Sequence, residues 1–180
     1  MKTIVIIFTF MMAGILNIKA QTEEESVKKI REMYSQVNSN LSNYELTVRE
    51  IMGESTEGSI FEGFVSDDYL VLLRCKFYGE MGNIVEEYYF DKGTLFFVFV
   101  SNTQYSAPIY DENTQALPAV ENRYYFTAEG MIRWVNSEKI KVDNTSDEFK
   151  QKAAEIYTEL ERLRNLYYSE PTDNPVEEGE

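Results

Sequence analysis

The chain has 180 residues, 17 basic and 31 acidic, with a formal net charge of −14 and no histidine. A surface of that sign repels phosphate and offers no basic stripe for counterion release, so nucleic acid is not expected as a partner. The lack of histidine excludes histidine-based triads and imidazole metal sites, and a single cysteine, Cys75, cannot close a disulfide within the chain.

Residues 1–20 read as an export signal. Lys2 gives a positive start, residues 4–16 are largely apolar, and Ala20 is the small residue expected before a cut. The apolar run is too short and too early for a stable span, and no cysteine follows it to carry a lipid. The expected product is exported and soluble, periplasmic or secreted, with no stable membrane anchor once the signal is cut. Cleavage removes Lys2 and Lys19 but no acid, so the mature chain is two charges more negative.

Residues 21–168 suit one domain at roughly 150 residues per domain. From Thr22 to Leu41, Val27, Ile30, Tyr34, Val37 and Leu41 recur at spacings of 3 and 4, one face of a helix. Thr22 with Glu25 forms a capping box, and the acids at 23 to 25 suit the positive helix end. From Tyr44 to about Lys141 the period falls to two and turn signals recur, which predicts a sheet of hairpins. Alternation at 69, 71, 73, 75 and 77 points Cys75 into the core, where a small buried hydrophobe is expected rather than a nucleophile. A second capping box, Thr145 with Glu148, opens a helix whose stripe is Phe149, Ala153, Ile156, Leu160, Leu163 and Tyr167. Residues 169–180 carry two prolines and five acids with almost nothing to bury, and read as a disordered tail. The fold class expected is therefore α+β: an N-terminal helix, an antiparallel meander of about six or seven strands, and a C-terminal helix packed on the sheet.

One repeat stands inside the sheet, at residues 86–98 and 122–135. Both copies run Tyr, Tyr, Phe, a turn with Gly, then Leu or Ile. A two-residue turn at Lys92 and Gly93 pairs Asp91 with Thr94 and sets Tyr88, Phe90, Leu95 and Phe97 on one face, with Tyr89, Phe96 and Val98 on the other. In the second copy a three-residue loop, Ala128, Glu129 and Gly130, pairs Thr127 with Met131, so that Tyr124, Phe126, Ile132 and Trp134 share the matching core face. Arg123, Tyr125 and Arg133 then look the other way, onto a side that is wet or holds an anion. This Tyr-Tyr-Phe pattern resembles exported, function-unassigned proteins of Gram-negative bacteria and is faintly similar to the hairpins of MORN-variant repeats; the resemblance spans about 50 residues, 86–135. It implies no catalytic residue.

Function is sought on the surfaces this leaves. Residues 101–119 are too long for a hairpin turn; Tyr105, Ile109 and Tyr110, stiffened by Pro108 and Pro118, predict an ordered aromatic flap, either a ligand surface or a lid on the core. The Arg123, Tyr125 and Arg133 patch is the cationic feature of an acidic chain, suited to a carboxylate-bearing ligand, the protein's own tail or a second copy. Tyr105, Tyr110, Arg123, Tyr125 and Arg133 are thus the expected ligand-binding residues of a non-catalytic binding or accessory module for a protein, peptide or glycan, with no cofactor and no metal. The alternatives are a small carboxylate-based hydrolase acting on glycans, drawing a pair from Glu86, Glu87, Asp111, Glu112 and Glu121, and a secreted inhibitor. Asp111, Asn113 and Gln115 imitate the start of a calcium loop, but Ala116 stands where Gly is needed and Asn122 where Glu is needed.

Overall fold

The computed structural model describes residues 22–169; the signal segment 1–20 and the tail from 170 onward lie outside the described residues. Helix α1 covers 22–39 and is followed by a short 3-10 turn, Leu41–Asn43. Strands β1 (Glu45–Ile51), β2 (Ser59–Ser66), β3 (Tyr69–Gly79), β4 (Gly82–Asp91), β5 (Thr94–Gln104), β6 (Val120–Thr127) and β7 (Gly130–Val135) come next, then helix α2 (Asp147–Tyr168). The seven strands pair in sequence order, every neighbour antiparallel, so the α+β meander expected from the sequence is the fold.

Both helices dock on the sheet, on opposite faces. Val27, Ile30 and Val37 of α1 pack with Phe64, Leu72, Tyr89, Phe96, Phe97 and Tyr125. Phe149, Ile156, Leu160, Leu163 and Tyr167 of α2 pack with Phe61, Leu73, Cys75, Tyr88, Phe90, Val98, Tyr124, Phe126 and Trp134. A central strand covered on both sides has no polar face to spare, which is why β4 reads Tyr88, Tyr89, Phe90 without a break. Phe90 and Trp134 share one cluster, both under 10 % exposed.

The hairpins at β2–β3, β4–β5 and β6–β7 are built alike. Each has a two-residue turn, at Asp67–Asp68, Lys92–Gly93 and Ala128–Glu129, and each register slips after the second pair beyond the turn, leaving Val71, Phe96 and Ile132 unpaired. Asp67, Asp68, Lys92 and Gly93 all have positive φ, as the twist-matched hairpin turn requires. A bulge adds one residue to one strand and moves every later side chain of that strand to the other face. Two expectations are corrected by it. Phe97 pairs with Tyr89 and faces α1, exchanging faces with Val98, and Ile132 packs beside α1 while Met131 takes the α2 side. The second copy also has no longer loop: Thr127 pairs with Gly130, and its glycine merely sits one position later. The three bulges place Val71, Phe96 and Ile132 against the α1 cluster, so they build the surface on which α1 rests.

The capping expectation for α2 shifts by one residue. Ser146 is the N-cap and its Oγ accepts from the Phe149 amide at 3.1 Å, while Thr145 donates to Asp143 in a turn. Ser146 offers the same hydroxyl with a β backbone already in place before the first turn. The buried stripe of α2 is as the spacing requires. Among the described residues no helix is long and apolar enough to cross a membrane.

Candidate functional site: the cleft between α1 and strands β5 and β6

On the α1 face, one cross-strand row runs Glu62, Arg74, Glu87, Phe99, Arg123. Its first half is an ion-pair ladder: Lys76 Nζ lies 2.5 Å from Glu62, Arg74 NH1 3.1 Å from Glu62, and Arg74 Nε 2.7 Å from Glu87. Tyr89 donates to Glu87 at 2.7 Å and Asn38 of α1 donates to Tyr89. Burial pushes the Glu62 carboxyl up, but the hydrogen bonds from Lys76 and Arg74 outweigh it and leave the group below its ordinary value. These charges satisfy one another and are not available to a ligand.

The second half of the row is open. A cleft of about 400 Å³ lies between α1 and strands β5 and β6, walled by Tyr34, Phe97, Phe99 and Tyr125, with Arg31, Glu121 and Arg123 among its lining. The rings interlock: Tyr34 and Phe97 lie 5.1 Å apart, Phe97 and Tyr125 5.0 Å. Arg123 stands over Phe99 at 5.2 Å and pairs with Glu121 at 2.6 Å, and Arg31 stands over Tyr125 at 5.9 Å. Two guanidinium groups face one carboxylate, so the cleft is locally positive on a strongly acidic chain.

Of the five expected site residues, Arg123 and Tyr125 line this cleft and the other three lie elsewhere. Arg133 is buried at 6 % exposure beneath the start of α1, its Nε donating to Glu23 at 2.8 Å and its other nitrogens to Glu24. Lys141 joins Glu23 at 2.7 Å. The anion foreseen for that arginine is thus supplied by the protein's own first helical turn. Tyr105 and Tyr110 sit on the flap, at the far end of β5; the six steps along the chain from Phe99 to Tyr105 span about 20 Å. The flap is ordered by main-chain bonds from Tyr105 to Met81, Ile109 to Glu80, Ser106 to Gln115 and Leu117 to Gln104. Asn83 donates to the Tyr105 hydroxyl at 2.8 Å, and Tyr110, 74 % exposed, donates to Glu80.

The five acids considered for hydrolysis do not converge. Glu87 and Glu121 are each held by an arginine, Asp111 accepts from the Asn113 amide on the flap, Glu112 is exposed there, and Glu86 faces α2. Glu86 shares its groove with Glu159, but both Glu159 oxygens are bonded by Arg162, at 2.6 and 2.9 Å, which leaves no free base opposite Glu86. Burial pushes the Cys75 thiol up, which makes it a poor nucleophile. Among the described residues no group of three His, Cys, Asp or Glu side chains is placed to hold a metal ion.

Arg31, Tyr34 and Phe99 were not singled out by sequence reasoning. The signal was present for two of them: Tyr34 belongs to the apolar stripe of α1 and Arg31 stands beside that stripe, one turn earlier. Phe99 could not be placed before the bulge at Phe96 fixed its face. No family model matches this chain, and no curated protein or solved structure matches it.

Proposed function

We propose that this chain is an exported binding module that takes a carboxylate-bearing ligand with a flat apolar body, such as an acidic peptide side chain or a modified glycan, in the cleft between α1 and strands β5 and β6. The observation that carries the reading is the pairing of Arg31 and Arg123 with a wall of four aromatic rings. Guanidinium groups give bidentate bonds to a carboxylate, and they stack on rings without losing that capacity. The rings supply area at low entropic cost, since Tyr34, Phe97 and Tyr125 hold one another and Arg123 covers Phe99. Glu121 holds Arg123 in place and is the group an incoming carboxylate would displace.

The test uses the mature exported chain titrated with 4-phenylbutyrate and the matched amide by calorimetry. Saturable binding of the acid, weakened about 10–100-fold in Arg123→Ala and strengthened in Glu121→Gln, supports the reading, on the scale of one charge-assisted hydrogen bond. Equal binding of acid and amide, or no effect of Arg123→Ala, refutes it. Sequencing the exported protein tests the address, with a first residue near position 21 expected.

A further inference from the structure

The opposite face of the sheet holds a second groove. Two cavities of about 500 and 590 Å³ lie along the seam between the sheet and α2, and both are lined by Glu86 and Glu159, so they meet at those residues. The walls are apolar, with Phe77, Ile84, Val98, Val100 and Tyr124, and the amides of Asn102, Gln104 and Gln151 punctuate them.

The charges of this groove are unequally served. Arg162 holds both Glu159 and Glu54, and Lys152 holds Glu155. Among the described residues Glu86 has no ion-pair partner; its one side-chain donor is the Tyr88 hydroxyl, 2.6 Å from Oε2. It stands between Cys75 and Val100 in the cross-strand row, where neither neighbour can supply charge. Glu86 is half-buried, so its carboxylate loses part of its hydration without gaining a cation, and a bound cation offsets that cost.

We propose that this groove is a second binding site, for an alkyl or arylalkyl ammonium group, with Glu86 as its anion and the Phe77, Ile84, Val100 and Tyr124 surface as the seat of its apolar body. An ammonium brings three donors to a carboxylate that the protein serves with one, and the apolar walls take the carbon chain attached to it. The strongly acidic mature chain attracts such cations at long range. The ordinary state of Glu86 agrees with this: burial pushes its carboxyl up, the Tyr88 hydrogen bond opposes, Glu159 adds to the rise, and Arg162 and Lys152 reduce it. The ammonium could arrive on a free amine or on a lysine side chain; the chemistry at Glu86 is the same.

The test titrates the mature chain with benzylamine, with Nα-acetyl-lysine methylamide, and with benzyl alcohol and a neutral disaccharide as uncharged probes. Expected are saturable binding of at least one amine, little or none of the uncharged probes, and a loss of at least tenfold in Glu86→Gln. The preferred amine tells free ligand from lysine side chain. In a second readout that needs no variant, carbon NMR of the Glu86 carboxyl follows its titration; a saturating amine shifts the midpoint downward, and shifts gather at Val100, Phe77 and Tyr124. The titratable groups facing Glu86 are Cys75, Tyr88 and Tyr124 from the sheet and Lys152, Glu155, Glu159 and Arg162 from α2, and the midpoint is read against them. Absence of saturable amine binding, equal binding by Glu86→Gln, binding of benzyl alcohol or the disaccharide as strong as that of the amines, or an unmoved Glu86 midpoint overturns the proposal. The Arg123→Ala variant leaves this binding unchanged, so the two sites fail or stand separately.

Discussion

Replacing Gly63 by alanine tests how α2 is seated. Gly63 lies in β2 with an ordinary negative φ, so its backbone admits alanine; the obstacle is the close approach of Tyr167, since an added Cβ would meet the hydroxyl at 2.1 Å and Cζ at 2.4 Å. Carbon contacts are comfortable at about 3.5 Å, so the ring must retreat by more than about 1 Å. It has nowhere easy to go: Tyr167 is 5 % exposed, its main-chain oxygen accepts from Arg49, and its ring meets Tyr168 at 4.9 Å. Overpacking of this kind costs about 1–3 kcal/mol, and expulsion of the ring approaches the ~3–5 kcal/mol of an aromatic truncation, so Gly63→Ala is expected to cost about 2–4 kcal/mol. In a Tyr167→Ala background the clash vanishes, and alanine instead gains about 0.5–1 kcal/mol over glycine in a strand. Urea unfolding of the four proteins gives the coupling energy, expected at about 2.5–5 kcal/mol because the cost in one background and the gain in the other add, and thermal melting of Gly63→Ala should fall by roughly 10 °C. Equal costs of Gly63→Ala in both backgrounds would show that Tyr167 does not sit on the glycine.

The same geometry sets three further outcomes. The double variant Glu23→Gln, Glu24→Gln leaves Arg133 buried without a counter-charge and is expected to lose about 2–3 kcal/mol near neutral pH, mostly through Glu23 because Glu24 is largely exposed. Burial raises the Glu23 carboxyl, but the bonds from Lys141 and Arg133 outweigh it and hold it below its ordinary value; its contribution is present above the unfolded value and disappears as pH falls through the folded one, so the two proteins should converge in acid urea titrations. Glu86 has the opposite sign: its raised carboxyl favours the fold below the unfolded value and loses that favour as pH rises, so Glu86→Gln should match the parent near about pH 4 and exceed it near about pH 7.5. Cys75, with no exposed surface, should react with a thiol reagent only at the rate of unfolding; fast reaction in the native protein would place it outside the core.

Much of the architecture is written locally. The stripe of Phe149, Ile156, Leu160, Leu163 and Tyr167 and that of Val27, Ile30 and Val37 are each one face of a helix, and both are buried. The turns at Asp67–Asp68 and Lys92–Gly93 are readable because few residue pairs accept positive φ twice in succession. In the two repeat hairpins Phe97, Val98 and Ile132 fall on the faces opposite to those expected, because a register slip leaves no local mark. The bulges at Val71, Phe96 and Ile132 come after the second pair beyond the turn, and each shifts the alternation of the residues that follow; Phe97 and Val98 are equally apolar, so neither signals which helix it meets. The candidate cleft inherits that ambiguity, because Phe99 belongs to it only after the slip.

Period, turn chemistry and charge, which depend on residues a few positions apart, decided that this chain is a meander of hairpins between two amphipathic helices and that its surface is acidic. Tertiary structure alone decided the state of the charged groups. Arg133 is satisfied by glutamates 109 and 110 positions away, and Glu86 is half-buried under a helix that begins some 60 residues later. Whether a charge is a free hand for a ligand or a closed pair depends on distances of a few ångströms between segments remote in sequence, and those distances exist only once the sheet has brought the helices to its two faces.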